Sequence, residues 1–486
     1  MSSLSPSRDR HVAREAWYGL FTQALDKIVP VAIILYLART LAPEQFGVYA
    51  FLVAYLAFFQ IAAEQSLDTV LVRMVSQQPS RRHELFHAAL GLRLVAAGFA
   101  VVLAVALGRP VSGGQVSIEL LLLASASLVT ALGGSFRAVF RADLNIRAVF
   151  LIALGRAIFL LASVVIAIRF YPGLESLLTA IAVANLITFI AVALTVRGDL
   201  PVRLSADRQL WGTLARGAWP LAVNAFAITV SLRAGQVLLM SLRGPVEVGL
   251  LGAASRVVEA FSVLPEALMI TVYPLLAGLH GTDPQRLIAT AEKSVRYLVI
   301  ATGVPVIVCA MAGPEVMRLL FGEAFEEAGQ VLGLLSLMAL FSATGTVILN
   351  VLVAVHRETA LYRNTLVFAV LSVLVCFPLI GAYGYPGAAV AMVLASVGSQ
   401  AGLALIPSTR DYVRPCLGAA ARSIAAVALG VAVASSIDAG HVAGLAVAFT
   451  VYVLSLVVLG VLNRDEIRFM RAMLLALTGR RQGAIS

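Results

Sequence analysis

Charge is scarce in this chain. Only 13% of the 486 residues are Asp, Glu, Lys or Arg, whereas 60% are hydrophobic and the mean hydropathy is +0.93. A soluble domain carries about a quarter charged residues, so a water-soluble globule is excluded. Short strands of alternating polarity are also lacking, which excludes a transmembrane barrel. Cysteine is limited to Cys309, Cys376 and Cys416, far apart in sequence, and neither a disulfide framework nor a metal motif is visible. The six histidines do not cluster at metal-ligand spacing. No Walker loop, GxSxG elbow or HExxH helix occurs. The residues therefore offer no enzyme active site, no resident cofactor and no ATP-driven step.

What is present is apolar length. Runs of about 18 or more apolar residues recur from end to end, each long enough to cross ~30 Å of hydrocarbon. They predict an all-α polytopic membrane protein with about fourteen transmembrane helices. A polar, basic segment (residues 1–16) precedes the first span, Trp17 to Ala38. That span is too long for a signal-peptide core and no small-residue cleavage site follows it, so it is expected to be retained. Six spans fill residues 17–196, including Gly47 to Val72 (span two) and Leu120 to Phe140 (span four). An arginine-rich linker occupies 197–216, and six more spans fill 217–407. Among these are Ala218 to Leu242 (span seven) and Gly249 to Leu279 (span eight), the latter with a kink expected at Pro265. Two Gly- and Ala-rich spans (408–462), read as close helix packing, and a tail (463–486) follow. The acidic connection PEVMRLLFGEAFEEAGQ is read as a solvated external loop.

The formal charge of +10 does not call for nucleic acid. Most of the 36 Lys+Arg fall in loops on one side of the membrane in this assignment. That is the positive-inside pattern, and it places both termini in the cytoplasm. Lys27, Arg93, Arg156, Arg233 and Arg256 instead fall inside apolar runs.

The chain also repeats itself. Pro43-x-x-x-Gly47 and Pro245-x-x-x-Gly249 each introduce an apolar segment, and Tyr171-Pro172-Gly173 is echoed by Tyr385-Pro386-Gly387. Such echoes suggest duplicated halves. Six spans per half is an even number, so the halves enter the membrane in the same direction and form a parallel repeat.

The ionisable residues within spans are the informative set, because burying charge in hydrocarbon costs several kcal/mol. Asp26 and Lys27 lie in span one, Glu64 and Asp68 in span two, Arg156 in span five, Arg233 in span seven, and Arg256 with Glu259 in span eight. Glu64 and Asp68 are four residues apart and share a helical face. Two readings fit these residues. In one they line a wet cavity, where Arg256, Lys27, Arg233 and Arg156 hold an anionic substrate and Asp26, Glu64, Asp68 or Glu259 binds a coupling H⁺ or Na⁺. In the other they are buried ion pairs that set helix register, or side chains that snorkel to the interface. Arg137, near a span end, is read as snorkelling, and Asn185, Asn224 and Asn350 as interhelical hydrogen-bonders.

Four stretches carry a family resemblance. ARTLAPEQFGVYAFLVAYLAF with LVRMVS, AASRVVEAFSVLPEALMITVYPLLAGL, MRLLFGEAFEEAGQVLGLLS and YGYPGAAVAMVLAS occur in the order found in polysaccharide flippases. These belong to the multidrug/oligosaccharidyl-lipid/polysaccharide (MOP, MATE-like) exporter superfamily. The resemblance implies two six-helix bundles in a V, two additional C-terminal helices, and alternating access. It implies an inner-membrane flippase for undecaprenyl-pyrophosphate-linked oligosaccharide, serving exopolysaccharide, capsule or O-antigen synthesis beside a polymerase and export machinery. By position Arg256 matches the family's span-eight arginine, and Asp26 with Lys27 occupies the charged spot in span one. One departure is AAEQSLDTVLVR, where relatives carry a glycine–leucine pair before LVR. The carboxylates of Glu64 and Asp68 suit an anionic lipid only if they pair with Lys27 or carry the coupling ion. A cation-coupled multidrug antiporter and a lipid II flippase share the fold and remain alternatives. A membrane-embedded glycan polymerase or ligase ranks last, because the external loops are short.

Overall fold

The computed structural model describes residues 6–63, 65–171, 173–437 and 440–461. Glu64 and the expected tail at 463–486 lie outside them. Eighteen α-helices follow one another, with three 3₁₀ turns and no strand among the described residues. The first ten are α1 (Pro6–Thr40), α2 (Pro43–Ala63), α3 (Gln65–Gln77), α4 (Arg82–Val111), α5 (Ile118–Ser125), α6 (Gly134–Ala142), α7 (Ile146–Phe170), α8 (Leu174–Thr195), α9 (Arg208–Arg243) and α10 (Pro245–Ala260). The remainder are α11 (Val263–Leu279), α12 (Pro284–Met311), α13 (Gly313–Phe321), α14 (Gly329–Ala354), α15 (Glu358–Tyr383), α16 (Tyr385–Leu405), α17 (Arg410–Ser435) and α18 (Gly440–Val458). Twelve helical segments of the described chain are long and apolar enough to cross a membrane, and two shorter apolar helices, Ile118–Leu128 and Ala443–Val458, accompany them. The protein is a multi-pass helical membrane protein.

Local chemistry explains where the helices depart from the expected spans. Span four is three pieces: α5, a 3₁₀ stretch from Ala126 to Gly133, and α6. Its Ser125 and Ser127 hydroxyls donate to the Leu122 and Ala124 carbonyls at 3.0 and 2.6 Å. Such back-bonding, ending at the Gly133–Gly134 pair, favours a tightened turn over a regular helix. Span eight breaks at Phe261–Ser262, four residues ahead of the expected kink. Pro265 has no N–H to offer the Phe261 carbonyl, and its ring crowds that carbonyl. Phe261 and Ser262 bond instead to Val258 and Glu259 at 3.1 Å, in tighter i→i−3 fashion. The helix α9 starts inside the expected linker, where Asp207 Oδ1 accepts from the Gln209 and Leu210 amides at 2.9 and 3.1 Å, a side-chain N-cap.

The described chain forms two compact units. One comprises Met1–Arg256, Met317–Ala328 and Thr365–Ala395, the other Val257–Val316, Gly329–Asn364 and Ser396–Ser486. In the first, α1 packs on α7, α7 on α8, α2 on α9, and α3 on both α6 and α9. Leu71, Phe86, Phe136, Val139 and Leu214 are buried at the centre. The acidic connection, expected as a solvated loop, is helix α13 and a 3₁₀ turn whose apolar side is buried. Phe321 and Phe325 lie against Phe46, with ring centroids 6.4 and 5.0 Å away. Phe321 and Phe325 are buried, and Glu323, Glu326 and Glu327 are exposed.

Two arginines at matching helix ends act as caps in this unit. Arg39, ending α1, donates to the Leu319 and Leu320 carbonyls of α13. Arg243, ending α9, donates to the Ile380 and Gly381 carbonyls of α15 at 3.3 and 2.6 Å. Cations are favoured at such helix ends, where carbonyls lack partners and the dipole is negative.

In the second unit α12 packs on α14 and α17, and α17 on α18. Tyr452 is buried there and its hydroxyl donates to the Ile300 carbonyl at 3.0 Å. A methyl group on Gly430 would lie 2.8 Å from the Ala448 carbonyl oxygen, so small residues set how closely α17 and α18 approach.

Candidate functional site

Intramembrane charge gathers in the first unit. Asp68 of α3 accepts from Arg93 of α4, and the Arg93 side chain is fully buried while that of Asp68 is 18% exposed. The pair abuts the start of α6: a methyl group on Gly134 would overlap Arg93 Nη1 and lie 3.1 Å from Asp68 Oδ1. Glycine at this position therefore makes room for the ion pair. An arginine in a hydrocarbon-depth helix demands such a counter-ion.

A second pair links α1 to α6, with Arg137 Nη1 3.7 Å from Asp26 Oδ2. Arg137 is 21% exposed and faces this partner within the unit. One turn of α6 separates it from Gly134. Arg137 and Arg156 both line a small cavity of about 40 Å³ together with Gly133, Gly134, Asn185 and Thr188.

The remaining expected site residues lie elsewhere. Lys27 is half-buried beside Asp26 on α1. Arg233 is half-buried in α9. Arg256 is half-buried in α10. Glu259 is half-buried one turn further along α10, in the second unit. Glu64 lies outside the described residues. Asp68 is held by Arg93. Of the asparagines, Asn350 donates within its own helix to the Thr346 carbonyl at 2.8 Å. The Asn224 Oδ1 is buried without a hydrogen bond among the described residues.

Arg93 and Arg137 form these pairs, though neither is among the expected site residues. Arg93 stands alone in an apolar run, ALGLRLVAAG, which was signal enough to seek a carboxylate on a neighbouring helix. For Arg137 the signal was the glycine pair one turn earlier.

The arginine-rich connection is docked on the first unit. Arg82 grips Asp199 with two hydrogen bonds of 2.8 and 2.6 Å and also meets Asp143 at 2.9 Å. His83 and His87 contact the Asp199 and Pro201 carbonyls at 2.8 and 2.9 Å. The Arg82 guanidinium holds the Asp199 carboxyl below the usual carboxylate range.

Solved structures share this fold. The lipid II flippase MurJ in an inward closed conformation matches with a TM-score of 0.70 and 12% identity, over 90% of this chain and 98% of that one. An inward-facing multidrug resistance MATE family transporter of the MOP superfamily matches with a TM-score of 0.63 and 14% identity, over 80% and 95%. A MOP superfamily transporter from Pyrococcus furiosus, whose binding pocket of reverse polarity suggests a different function, matches at 0.53 and 12%, over 83% and 96%. Among curated proteins no sequence match is found. The helical architecture is shared with these solved structures. Residues 36–330 match a family described as polysaccharide biosynthesis protein. That is more than half of the chain, and the chain belongs to this family.

Proposed function

We propose that the protein is a flippase for undecaprenyl-pyrophosphate-linked oligosaccharide repeat units. It carries them across the bacterial inner membrane by alternating access, for exopolysaccharide, capsule or O-antigen synthesis. Membership of the polysaccharide biosynthesis family is the observation that carries this reading. The exporter fold supports it, and so does the supply of buried cations.

A pyrophosphate headgroup bears at least two negative charges and does not enter hydrocarbon without counter-charge. Arg256, Lys27, Arg233 and Arg156 supply that charge in this reading. Guanidinium groups suit phosphoryl oxygens because their planar fork makes two charge-assisted hydrogen bonds. Asp26, Glu64, Asp68 and Glu259 are the carboxylates available to a coupling H⁺ or Na⁺. Asp68 is already engaged by Arg93, which makes Asp26, 39% exposed and 3.7 Å from Arg137, the better placed. Both termini face the cytoplasm, in keeping with the arginine-rich loops. A polymerase and export machinery act on the translocated unit.

Deleting the gene and analysing surface glycan with lipid-linked intermediates tests the reading. Loss of one polymer, with undecaprenyl-linked repeat units accumulating on the cytoplasmic face, supports it and identifies the sugar. Intact glycans with new sensitivity to cationic dyes replace it with a drug antiporter. Lysis with lipid II accumulation replaces it with a peptidoglycan precursor flippase.

A further inference from the structure

At one end of the first unit, the starts of α2, α5 and α8 and the end of α7 surround a cavity of about 770 Å³. That volume lies within the ~300–1,000 Å³ of small-molecule sites. Glu44 and Gln45 reach it from α2, Phe170 from α7, Tyr171 from the turn that follows, and Glu175 from α8. Phe170 and Tyr171 are 70% and 75% exposed. No lysine or arginine lines the space. Among the described residues nothing hydrogen-bonds or pairs with the side chains of Glu44, Gln45 and Glu175 or with the Tyr171 hydroxyl.

The sequence echo supplies an internal comparison. Tyr385-Pro386-Gly387 repeats Tyr171-Pro172-Gly173, and Glu247 stands at the position of Gln45 when the Pro43 and Pro245 turns are aligned. In that second copy Tyr385 is 7% exposed. Its amide donates to Glu247 at 2.7 Å and its hydroxyl to Glu327 at 3.2 Å. The protein's own carboxylates thus meet the polar groups of the second tyrosine. In the first copy the tyrosine, two carboxylates and an amide front a cavity instead.

The lining selects its ligand by charge and by shape. Two carboxylates with no cation beside them repel an anion. Both are exposed, and exposed carboxylates give a lone cation little. They serve better as acceptors for hydroxyl groups, and the Gln45 amide both donates and accepts. Two aromatic rings offer an apolar surface beside these polar groups. A hexose matches both, with C–H faces for the rings and a rim of hydroxyls for the acceptors. We propose that this cavity binds an uncharged sugar. Its role rests on the flippase reading. The 22 residues of α8 span about 33 Å and lead from the cavity to the arginine-rich connection, so the cavity lies at the external end of the unit in that reading. There it takes the glycan of a translocated unit as it emerges.

Saturation-transfer NMR on the purified full-length protein tests the site, in lauryldimethylamine oxide, a detergent without a sugar headgroup. The probes are the methyl glycosides of glucose, galactose and mannose, with glucuronate and tetramethylammonium as charged controls. Saturable binding of at least one methyl glycoside is expected, with Kd raised about fivefold or more by Tyr171→Ala through loss of a ring face. Glucuronate is expected to bind more weakly than methyl glucoside, and Glu44→Gln combined with Glu175→Gln is expected to narrow that difference. If Tyr171→Ala does not fold, Tyr171→Leu removes the ring while keeping apolar bulk. No saturable binding of any methyl glycoside, or a Kd unchanged by loss of the ring, overturns the proposal. Displacement of the bound glycoside by tetramethylammonium overturns it too, in favour of an organic-cation site. The outcome is separable from the gene deletion: lost polymer without sugar binding removes this site alone, whereas sugar binding with intact glycans removes the flippase reading and leaves the site.

Discussion

Gly47 and Gly249 meet face to face. A methyl group on Gly47 would lie 3.2 Å from the Gly249 amide nitrogen, and one on Gly249 would lie 3.3 Å from Gly47 Cα. The carbonyls of Pro245 and Pro43 complete the contact reciprocally. The two Pro-x-x-x-Gly turns that repeat in the sequence are thus each other's packing partners, and α2 and α10 approach backbone to backbone at their starts.

Gly47→Ala is expected to be more damaging than Gly249→Ala. The new methyl group at position 47 overlaps the Pro245 carbonyl, which cannot turn aside, whereas at position 249 the contact with the Pro43 carbonyl is 3.0 Å and needs only a small shift. Overpacking of this kind costs about 1–3 kcal/mol. Thermal unfolding in detergent reads the order, and equal losses would contradict the close approach.

Removing Asp68 while keeping Arg93 takes a counter-charge from a buried cation. Asp68→Asn is expected to destabilise the protein by about 3–5 kcal/mol. Replacing both residues, as Asp68→Leu with Arg93→Met, is expected to recover much of that loss, since an apolar pair needs no counter-charge. Denaturant titration of the single and double variants decides. A double variant as unstable as Asp68→Asn alone would argue that the pair does more than neutralise itself.

Arg243 bridges two carbonyls at the end of α15. Lysine keeps the charge but not the fork, so Arg243→Lys is expected to lower stability by about 0.3–1 kcal/mol, the usual worth of a cation at a helix C-terminus. A shift of the unfolding temperature measures it, and no shift would make the two carbonyl bonds dispensable.

Asp199 gives stability a pH dependence. Its folded-state pKa is depressed, chiefly by hydrogen bonds from Arg82. The stabilisation is therefore full above the unfolded carboxylate's pKa and is lost as pH falls through the folded value. Because the Asp199 side chain is 52% exposed, solvent screening keeps the effect small. The difference in unfolding temperature between wild type and Asp199→Asn should shrink as pH falls from neutral to about 3. A difference that stays constant over that range would dissociate Asp199 from the docking of the arginine-rich connection.

Arg256→Ala is expected to abolish glycan export while leaving the protein at normal abundance in the membrane. Export assayed by surface polymer, with quantified membrane protein, checks this. Full activity at normal abundance would remove Arg256 from the substrate site.

By itself the sequence determined that this chain is a multi-pass helical membrane protein and that two short turn motifs recur along it. Hydropathy and turn chemistry are local properties, read over about 20 residues at a time. Even the break of span eight was half legible, since Pro265 marks it and only the offset to Phe261 needed backbone geometry. Only the tertiary structure decided which charges meet. Asp68 finds Arg93 because α3 lies beside α4, and Asp26 of α1 finds Arg137 of α6. A chain of apolar helices leaves that choice open, as lipid and apolar side chains solvate one another about equally well. Rotation of each helix about its own axis is set instead by small residues such as Gly134 and by the need of each buried charge for a partner.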